Sequence, residues 1–171
     1  DTEENQERRV SLLANQHLVF FHVLKLNEYH KLRVDHEPVA SRQANQGLRG
    51  SYYARLAVCE SILGHFKEGI ETATKAARLC EASGNTEQAL FAYFTAAMAH
   101  LIRGDYERVL ELKAESLGVM KQSFQIRYQV RPLLLVSWSC SELGRFEEAM
   151  ELAQEAMRKA RDFSDRSLIS W

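Results

Sequence analysis

One phrase recurs three times in this chain, as LGHFKEGIETA, RGDYERVLELK and LGRFEEAMELA. Each copy carries a glycine, followed two residues later by an aromatic side chain: Gly64 with Phe66, Gly104 with Tyr106, and Gly144 with Phe146. Successive glycines are 40 residues apart. A fixed period of about 20 to 50 residues is typical of stacked supersecondary units that bury their apolar faces against one another. The sequence therefore predicts an array of similar units.

Each unit is predicted to contain two helices. The stretch SYYARLAVCESIL, residues 51–63, has apolar residues at helical spacing and ends before Gly64, which can adopt the left-handed conformation that terminates a helix. The second helix is predicted from about Phe66 to Ala82, where the SGN segment closes it. Asn85, with Gln88 three residues later, is typical of the start of the next helix.

Small side chains occupy two further sets of repeated positions. Seven residues before each repeated glycine stand Ala57, Ala97 and Ser137. One face of the second helices is marked by alanines, namely Ala73, Ala76, Ala153 and Ala156. Small residues allow helix axes to approach to ~8 Å, the close end of the range for packed helices. We therefore expect tightly packed helix pairs.

These columns resemble the tetratricopeptide repeat (TPR), in which a small residue, a Gly-x-aromatic turn and alanines recur in register. The resemblance implies an all-α fold, a right-handed α-solenoid of antiparallel helix pairs. It divides a single domain, residues 1–171, into repeats at about 47–84, 85–124 and 125–164, with a further helix starting at 165–171. The interrupted last helix indicates a fragment of a longer protein.

Two features depart from the usual family pattern. The period of 40 residues exceeds the common ~34 and resembles the long variants of regulatory and signalling proteins. The second unit is degenerate, because Val109, Lys113 and Ser116 stand where its neighbours have glycine or alanine.

A weaker unit is predicted over about 5–46, with Asn27 and Tyr29 in the glycine and aromatic columns. Its first helix is predicted within RRVSLLANQHLVFFHVLKL. Because proline lacks an N–H and has a fixed φ, the second helix is predicted to begin near Pro38 or to be kinked there. Pro132 raises the same alternatives for the first helix of the last full unit.

The composition argues against several functional classes. A net charge of −1 gives no general attraction to nucleic acid or to an anionic membrane, so neither is expected as a partner. No apolar run reaches the roughly 18 residues of a membrane helix. Cys59, Cys80 and Cys140 lie on apolar helical stretches, which favours buried free thiols and a cytoplasmic location.

The sequence contains no motif for catalysis. It has no Gly-rich phosphate loop, no Gly-x-Ser-x-Gly and no His-Glu-x-x-His, so we expect neither an enzyme nor a cofactor. His30, His36 and Glu37 form the one candidate metal cluster, but a structural zinc site needs four ligands. We interpret these three residues as a solvated polar face.

Charged pairs on the second helices predict solvent-exposed surface. Glu71 with Lys75, and Glu155 with Lys159, are four residues apart in the favourable orientation for exposed ion pairs.

The first helix of each pair lines the concave face of a solenoid, and this face is the one that binds partners. Ten and six residues before each glycine-column position lie the predicted groove residues: His17, Phe21, Ala54, Val58, Phe94, Met98, Leu134 and Trp138. Their apolar character argues against the cationic clamp with which related domains bind acidic C-termini. It favours an apolar or amphipathic protein segment. The same pattern would also suit core packing, so both interpretations stay open.

The sequence therefore predicts a noncatalytic scaffold that binds a protein or peptide segment, or another domain of its parent chain. One alternative is a sensor segment of a larger signalling protein, such as an ATPase-type transcription regulator, a nucleotide cyclase or a diguanylate cyclase, that responds to a peptide or small molecule. The other is a self-association module, forming a homo-oligomer through the open repeat ends.

Overall fold

The structure is a computed structural model that describes residues 2–16, 25–123, 125 and 127–162. These residues form eight α-helices and no strand. The helices are α1 (Glu3–Asn15), α2 (Leu26–Ala40), α3 (Gln46–Ile62), α4 (Phe66–Ala82), α5 (Thr86–Arg103), α6 (Tyr106–Met120), α7 (Arg127–Glu142) and α8 (Phe146–Asp162). The second helix of the first strong repeat runs from Phe66 to Ala82, as the sequence predicts.

The repeated glycines form one type of turn. Their φ values are +86° at Gly64, +82° at Gly104 and +75° at Gly144, with +70° at Gly84, which closes α4. At each turn the glycine N–H donates to the carbonyl three residues back, and the next N–H donates to the carbonyl five residues back. This pair of hydrogen bonds defines the Schellman motif, which satisfies carbonyls that a helix end leaves unpaired. The prediction that glycine terminates these helices is confirmed.

The predicted N-cap at Asn85 is also confirmed. Its side-chain oxygen accepts a hydrogen bond from the Gln88 N–H at 3.4 Å. The reciprocal bond of a full capping box is missing, because Asn85 N–H donates to Cys80 instead. Asn45 caps α3 in the same way, accepting from the Leu48 N–H at 3.0 Å.

Close packing within the helix pairs follows the columns of small residues. A Cβ atom added at Gly69 would lie 3.2 Å from the Ala57 carbonyl oxygen and 2.5 Å from Ser61 Oγ. In the last pair, Ser137 Oγ donates to the Ala149 carbonyl at 2.7 Å. Position 137 corresponds to Ala57 and position 149 to Gly69, two 40-residue repeats further along. The same column therefore brings the two helices together in α3–α4 and in α7–α8.

The chain forms two compact units, Asp1–Thr95 and Ala96–Trp171, and the boundary falls inside α5. In unit 1, side chains from α1 to α5 build a core around Val10, Tyr52, Leu56, Ala76 and Ala92. In unit 2, a core cluster joins Val130 and Leu133 of α7 to Ala156 and Ala160 of α8. The single-domain organisation stays a prediction.

The structure excludes one of the two alternatives at Pro38, a helix start there. Helix α2 begins at Leu26, and Pro38 lies inside it, two residues before its end at Ala40. A proline this close to the C-terminus removes one hydrogen bond after most of the helix has formed, so it does not set where the helix starts. Similarly, α7 begins at Arg127 and includes Pro132. Of the predicted first helix of the weak unit, the structure describes the part that belongs to α1, which ends at Asn15. Residues 17–24 of the predicted helix lie outside the described ranges.

One predicted ion pair is replaced by other contacts. Lys159 lies 3.6 Å from Glu155, as expected. Lys75, however, contacts Glu37 at 4.0 Å and lies 3.6 Å from the centre of the Tyr53 ring. The anion lies on α2 and the aromatic face on α3, so these contacts depend on tertiary packing that the linear sequence could not indicate.

Candidate functional site

The predicted groove residues have different degrees of exposure. On α3, Ala54 has no exposed surface and Val58 is 8% exposed, so both belong to the core of unit 1. Phe94 and Met98 on α5 are half-buried. His17 and Phe21 lie outside the described residues. The role of these positions in binding stays a prediction.

The last two predicted residues lie on α7 of unit 2. Leu134 is half-buried, and Trp138, one turn further along, is 58% exposed. The indole Nε1 donates to Glu142 Oε1 at 3.0 Å, which leaves most of the ring facing solvent. We call Leu134 and Trp138 the Trp138 surface. Tryptophan is one of the residue types enriched among those that dominate binding energy at protein interfaces.

The residues that define the repeat are mainly structural. Ala57 and Ala97 are buried, Ser137 is half-buried, and the turn aromatics Phe66 and Tyr106 are half-buried. Phe146 differs, because 68% of it is exposed. With Met150 and Met157 it forms an exposed apolar row along α8, which we call the α8 stripe. This surface was not predicted as a site.

A buried cationic cluster joins α1, α2 and α3. Arg33 is fully buried, and its guanidinium donates to the Leu13 carbonyl at 2.8 Å, to Tyr29 Oη at 2.6 Å and to the Tyr52 carbonyl. Its central carbon lies 4.2 Å from the centre of the Tyr52 ring. The Leu13 carbonyl, in the last turn of α1, also accepts from Tyr29 Oη at 2.8 Å. Arg33 therefore supplies a cation to a helix C-terminus from a different helix.

Burial governs the protonation of this cluster. Loss of solvation raises the pKa of Tyr52 to about 12, against the opposing effect of Arg33. It also raises the pKa of Tyr29. Both hydroxyls therefore stay neutral near pH 7 and act as hydrogen-bonding groups. No signal in the sequence distinguished Arg33 from a surface arginine.

The candidate metal ligands have separate structural contacts. His36 Nδ1 lies 2.8 Å from the Leu32 carbonyl of its own helix, and Glu37 accepts from Tyr53 Oη at 2.6 Å. The His30 ring packs edge-on against His65, with 5.6 Å between centroids. Within the described ranges, no three His, Cys, Asp or Glu side chains are grouped so that they could hold a metal ion.

The three thiols are buried, as predicted, and free. Loss of solvation raises the pKa of Cys59 to about 11 and that of Cys80 to about 12, and it also raises the pKa of Cys140. A protonated thiol is a poor nucleophile and a poor metal ligand.

Unit 2 contains an open cavity of about 380 Å³ between α6, α7 and α8. Its apolar lining includes Leu117, Met120 and Leu133, and its cationic lining consists of Lys113, Lys121 and Lys159. We call it the basic cavity. Lys113 is one of the departures from the repeat pattern, and nothing in the linear sequence indicates that the three lysines lie together.

Sequence comparison with protein-family models and with curated proteins gives no match. The fold, in contrast, is similar to the crystal structure of aspartyl phosphate phosphatase F from Bacillus subtilis, with a TM-score of 0.83. The match covers 96% of this chain and 43% of that protein, at 12% sequence identity. This chain thus spans less than half of the matched protein. The all-α helical-repeat fold predicted from the sequence is confirmed.

The helices of the described ranges were compared with the length and hydropathy of a membrane-spanning helix. None of the helices there combines the length and the apolar character needed to cross a bilayer.

Proposed function

We propose that this chain is a noncatalytic, TPR-like scaffold that binds an apolar or amphipathic segment of a protein. The segment belongs to a separate partner or to another domain of the parent chain. The observation that carries the proposal is Trp138, 58% exposed on the first helix of a repeat. A single exposed tryptophan gains much from burial at an interface, and tryptophan is enriched among the residues that dominate binding energy.

The local architecture supports binding by a preformed surface. Trp138 lies on a helix whose other side is packed into the core through Val130 and Leu133. The Schellman turn at Gly144 and the Ser137–Ala149 hydrogen bond hold α7 against α8. Little backbone entropy would be lost when a segment docks on such a helix.

Further contacts are proposed within each unit. Met98, in the same repeat column as Trp138, adds an adaptable, partly exposed side chain in unit 2, and Phe94, in the column of Leu134, adds an aromatic one in unit 1. Ala54 and Val58, which are buried, would support the shape of the surface rather than contact a partner.

The long repeat period favours a regulatory role within this class. In the sensor alternative, the bound peptide or small molecule would bias an output domain of a larger signalling protein by favouring one arrangement of the helices. The 40-residue period, which resembles that of the long TPR variants, supports this version.

Partner capture with matched variants tests the proposal. Trp138→Asp is compared with Met150→Asp, because Met150 is 61% exposed on a second helix of the same unit. Partners retained from a cell lysate are identified by mass spectrometry, and helicity is checked by circular dichroism. We expect Trp138→Asp to lose a specific protein that the wild type and Met150→Asp both retain. If Trp138→Asp retains every wild-type partner, the proposal is wrong.

The name of the similar structure suggests a separate test of catalysis. That protein is called an aspartyl phosphate phosphatase, but 12% identity supports a shared fold alone. We expect this chain to leave the hydrolysis rate of an aspartyl phosphate on a protein, and of acetyl phosphate, at the protein-free value. A rate that saturates with either substrate would contradict the noncatalytic assignment.

Self-association is a second candidate, and the α8 stripe favours it. Phe146, Met150 and Met157 are each more than half exposed, which is unusual for large apolar side chains in one row. Light scattering over a hundredfold concentration range tests this candidate, with the Met150→Asp/Met157→Asp variant as the comparison. A concentration-dependent dimer that the variant abolishes supports it, and a monomer throughout excludes it.

A further inference from the structure

The basic cavity combines an apolar interior with a cationic rim. Of its apolar lining residues, Leu133 is 6% exposed and Met120 is half-buried. Its volume of about 380 Å³ lies within the range of small-molecule sites, about 300 to 1,000 Å³. A cavity of this size accepts a ligand with an apolar body.

The cationic rim is only partly neutralised. Lys159 lies 3.6 Å from Glu155, which also lines the cavity. Among the ion pairs in the described ranges, none includes Lys113 or Lys121. The lysine and glutamate side chains at the rim therefore carry an excess of positive charge, which attracts an anion.

The repeat pattern singles out Lys113. The residues 40 positions before and after it are Ala73 and Ala153, and Ala73 is fully buried. A lysine in this column is half-buried and lines a cavity. Its long aliphatic stem can cover apolar surface while its ammonium group reaches the rim. Helix packing alone is served by alanine in this column, so the lysine has a separate explanation.

We infer that the basic cavity binds a small amphipathic organic anion, with an apolar chain or ring against Leu117, Met120 and Leu133 and an acidic headgroup near Lys113 and Lys121. The headgroup is a carboxylate or a phosphate, because both accept charge-assisted hydrogen bonds from lysine. This site is distinct from the Trp138 surface and goes beyond the proposed protein-binding function.

Methionine methyl NMR locates the ligand directly. The chain has four methionines, of which Met120 lines the cavity, whereas Met150 and Met157 lie on the α8 stripe. The probes are octanoate and octyl phosphate, with 1-octanol as the neutral control and acetate as the control without an apolar chain. We expect both octyl anions to shift the Met120 methyl signal saturably, with dissociation constants at least tenfold below those of octanol and acetate. The tighter of the two anions identifies the headgroup.

Variants test the role of the lysines. Lys113→Ala/Lys121→Ala removes the unpaired rim charges and introduces, at position 113, the alanine that both neighbouring repeats use. Lys31→Ala/Lys67→Ala makes the same change in net charge at exposed positions in unit 1. We expect the first variant to weaken octanoate binding about tenfold and the second to change it less than twofold. Glu155→Gln, which removes the competing anion, is expected to tighten binding about twofold.

Three results would each overturn the inference: Met150 and Met157 shift while Met120 does not, octanol binds as tightly as octanoate, or the two double variants bind octanoate equally. Should Lys113→Ala/Lys121→Ala lose helicity, Glu155→Gln and the octanol comparison decide the question in the otherwise native chain.

Discussion

At the scale of the residue, Arg33 is the clearest case of a side chain whose role depends on tertiary structure. It is fully buried and donates hydrogen bonds to carbonyls of α1 and α3. The ring centres of Tyr29 and Tyr52 lie within 5.1 Å of its central guanidinium carbon. Arg33 Nε has no hydrogen-bond partner within the described residues. The hydrogen bonds of the other guanidinium nitrogens therefore stabilise unit 1, and they must offset the free-energy cost of removing the charged guanidinium from water.

Replacing Arg33 with Met is expected to destabilise the protein by about 2 kcal/mol. Methionine fills part of the space and removes the buried charge, but it also removes the hydrogen bonds that Arg33 donates to Leu13, Tyr29 and Tyr52, and a hydrogen bond to a charged group contributes about 1.5 to 3 kcal/mol. Urea unfolding followed by circular dichroism measures the change. Arg42→Met, at an exposed position of the same unit, is the control and should change stability by less than about 0.5 kcal/mol. Equal stability of the two variants would show that the Arg33 hydrogen bonds contribute nothing.

The burial of Glu60 is expected to make the stability of the fold depend on pH. It is 8% exposed, burial raises the pKa of its carboxyl group, and Oε2 has no hydrogen-bond partner within the described residues. The folded protein therefore holds the proton more tightly than the unfolded chain. Proton uptake at Glu60 stabilises the fold as the pH falls from neutral towards 4.5, the ordinary pKa of glutamate.

Glu60→Gln is thus expected to raise stability at pH 7, because glutamine is neutral at every pH. The gain should shrink as the pH falls and disappear below about 4.5, where the wild-type carboxyl is protonated in both states. Urea unfolding at pH 7, 5.5 and 4 provides the measurement. Glu151→Gln, at an exposed position, should show no such trend. A gain that is the same at all three pH values would contradict the assignment to burial of the charged form.

At the scale of the element, the helix pairs depend on close backbone approach. A Cβ atom at Gly50 of α3 would lie 3.1 Å from the Cys80 backbone nitrogen and 3.2 Å from the Ala76 carbonyl oxygen of α4. These backbone atoms can move only if the two helices separate. Gly118 of α6 offers the opposite case, since a Cβ there would meet nothing within 4 Å.

Gly50→Ala is expected to lower stability by about 1 to 3 kcal/mol, because the clash outweighs the better helix propensity of alanine. Gly118→Ala should raise stability by about 0.5 to 1 kcal/mol, because it gains that propensity without a clash. Shifts of the denaturation midpoint measure both effects. Stabilisation by both substitutions would mean that α3 and α4 do not pack as closely as the structure indicates.

At the scale of the whole molecule, local signals predicted the fold well and the sites less well. The glycine turns, the end points of α4 and the cap at Asn85 follow from nearby residues, so the sequence alone could place them. Of the two alternatives for Pro38, a helix start there was wrong, because Pro38 lies two residues before the end of α2, and a kink there stays a prediction. The repeat register nominated Trp138, and its role in binding stays a prediction. The basic cavity was missed, because Lys113, Lys121 and Lys159 come together only when α6 and α8 pack beside α7.

The central claim is that a helix pair with a 40-residue period generates the fold and presents the binding surface. Hydrogen exchange of the full chain, read by mass spectrometry, tests this claim most directly. We predict slow exchange in α3–α4 and in α7–α8, with minima of protection in the first turns of the helices that begin at Phe66, Tyr106 and Phe146, spaced by 40 residues, because the first N–H groups of a helix have no intrahelical acceptor. Protected segments without that spacing, or fast exchange throughout 46–162, would contradict the account.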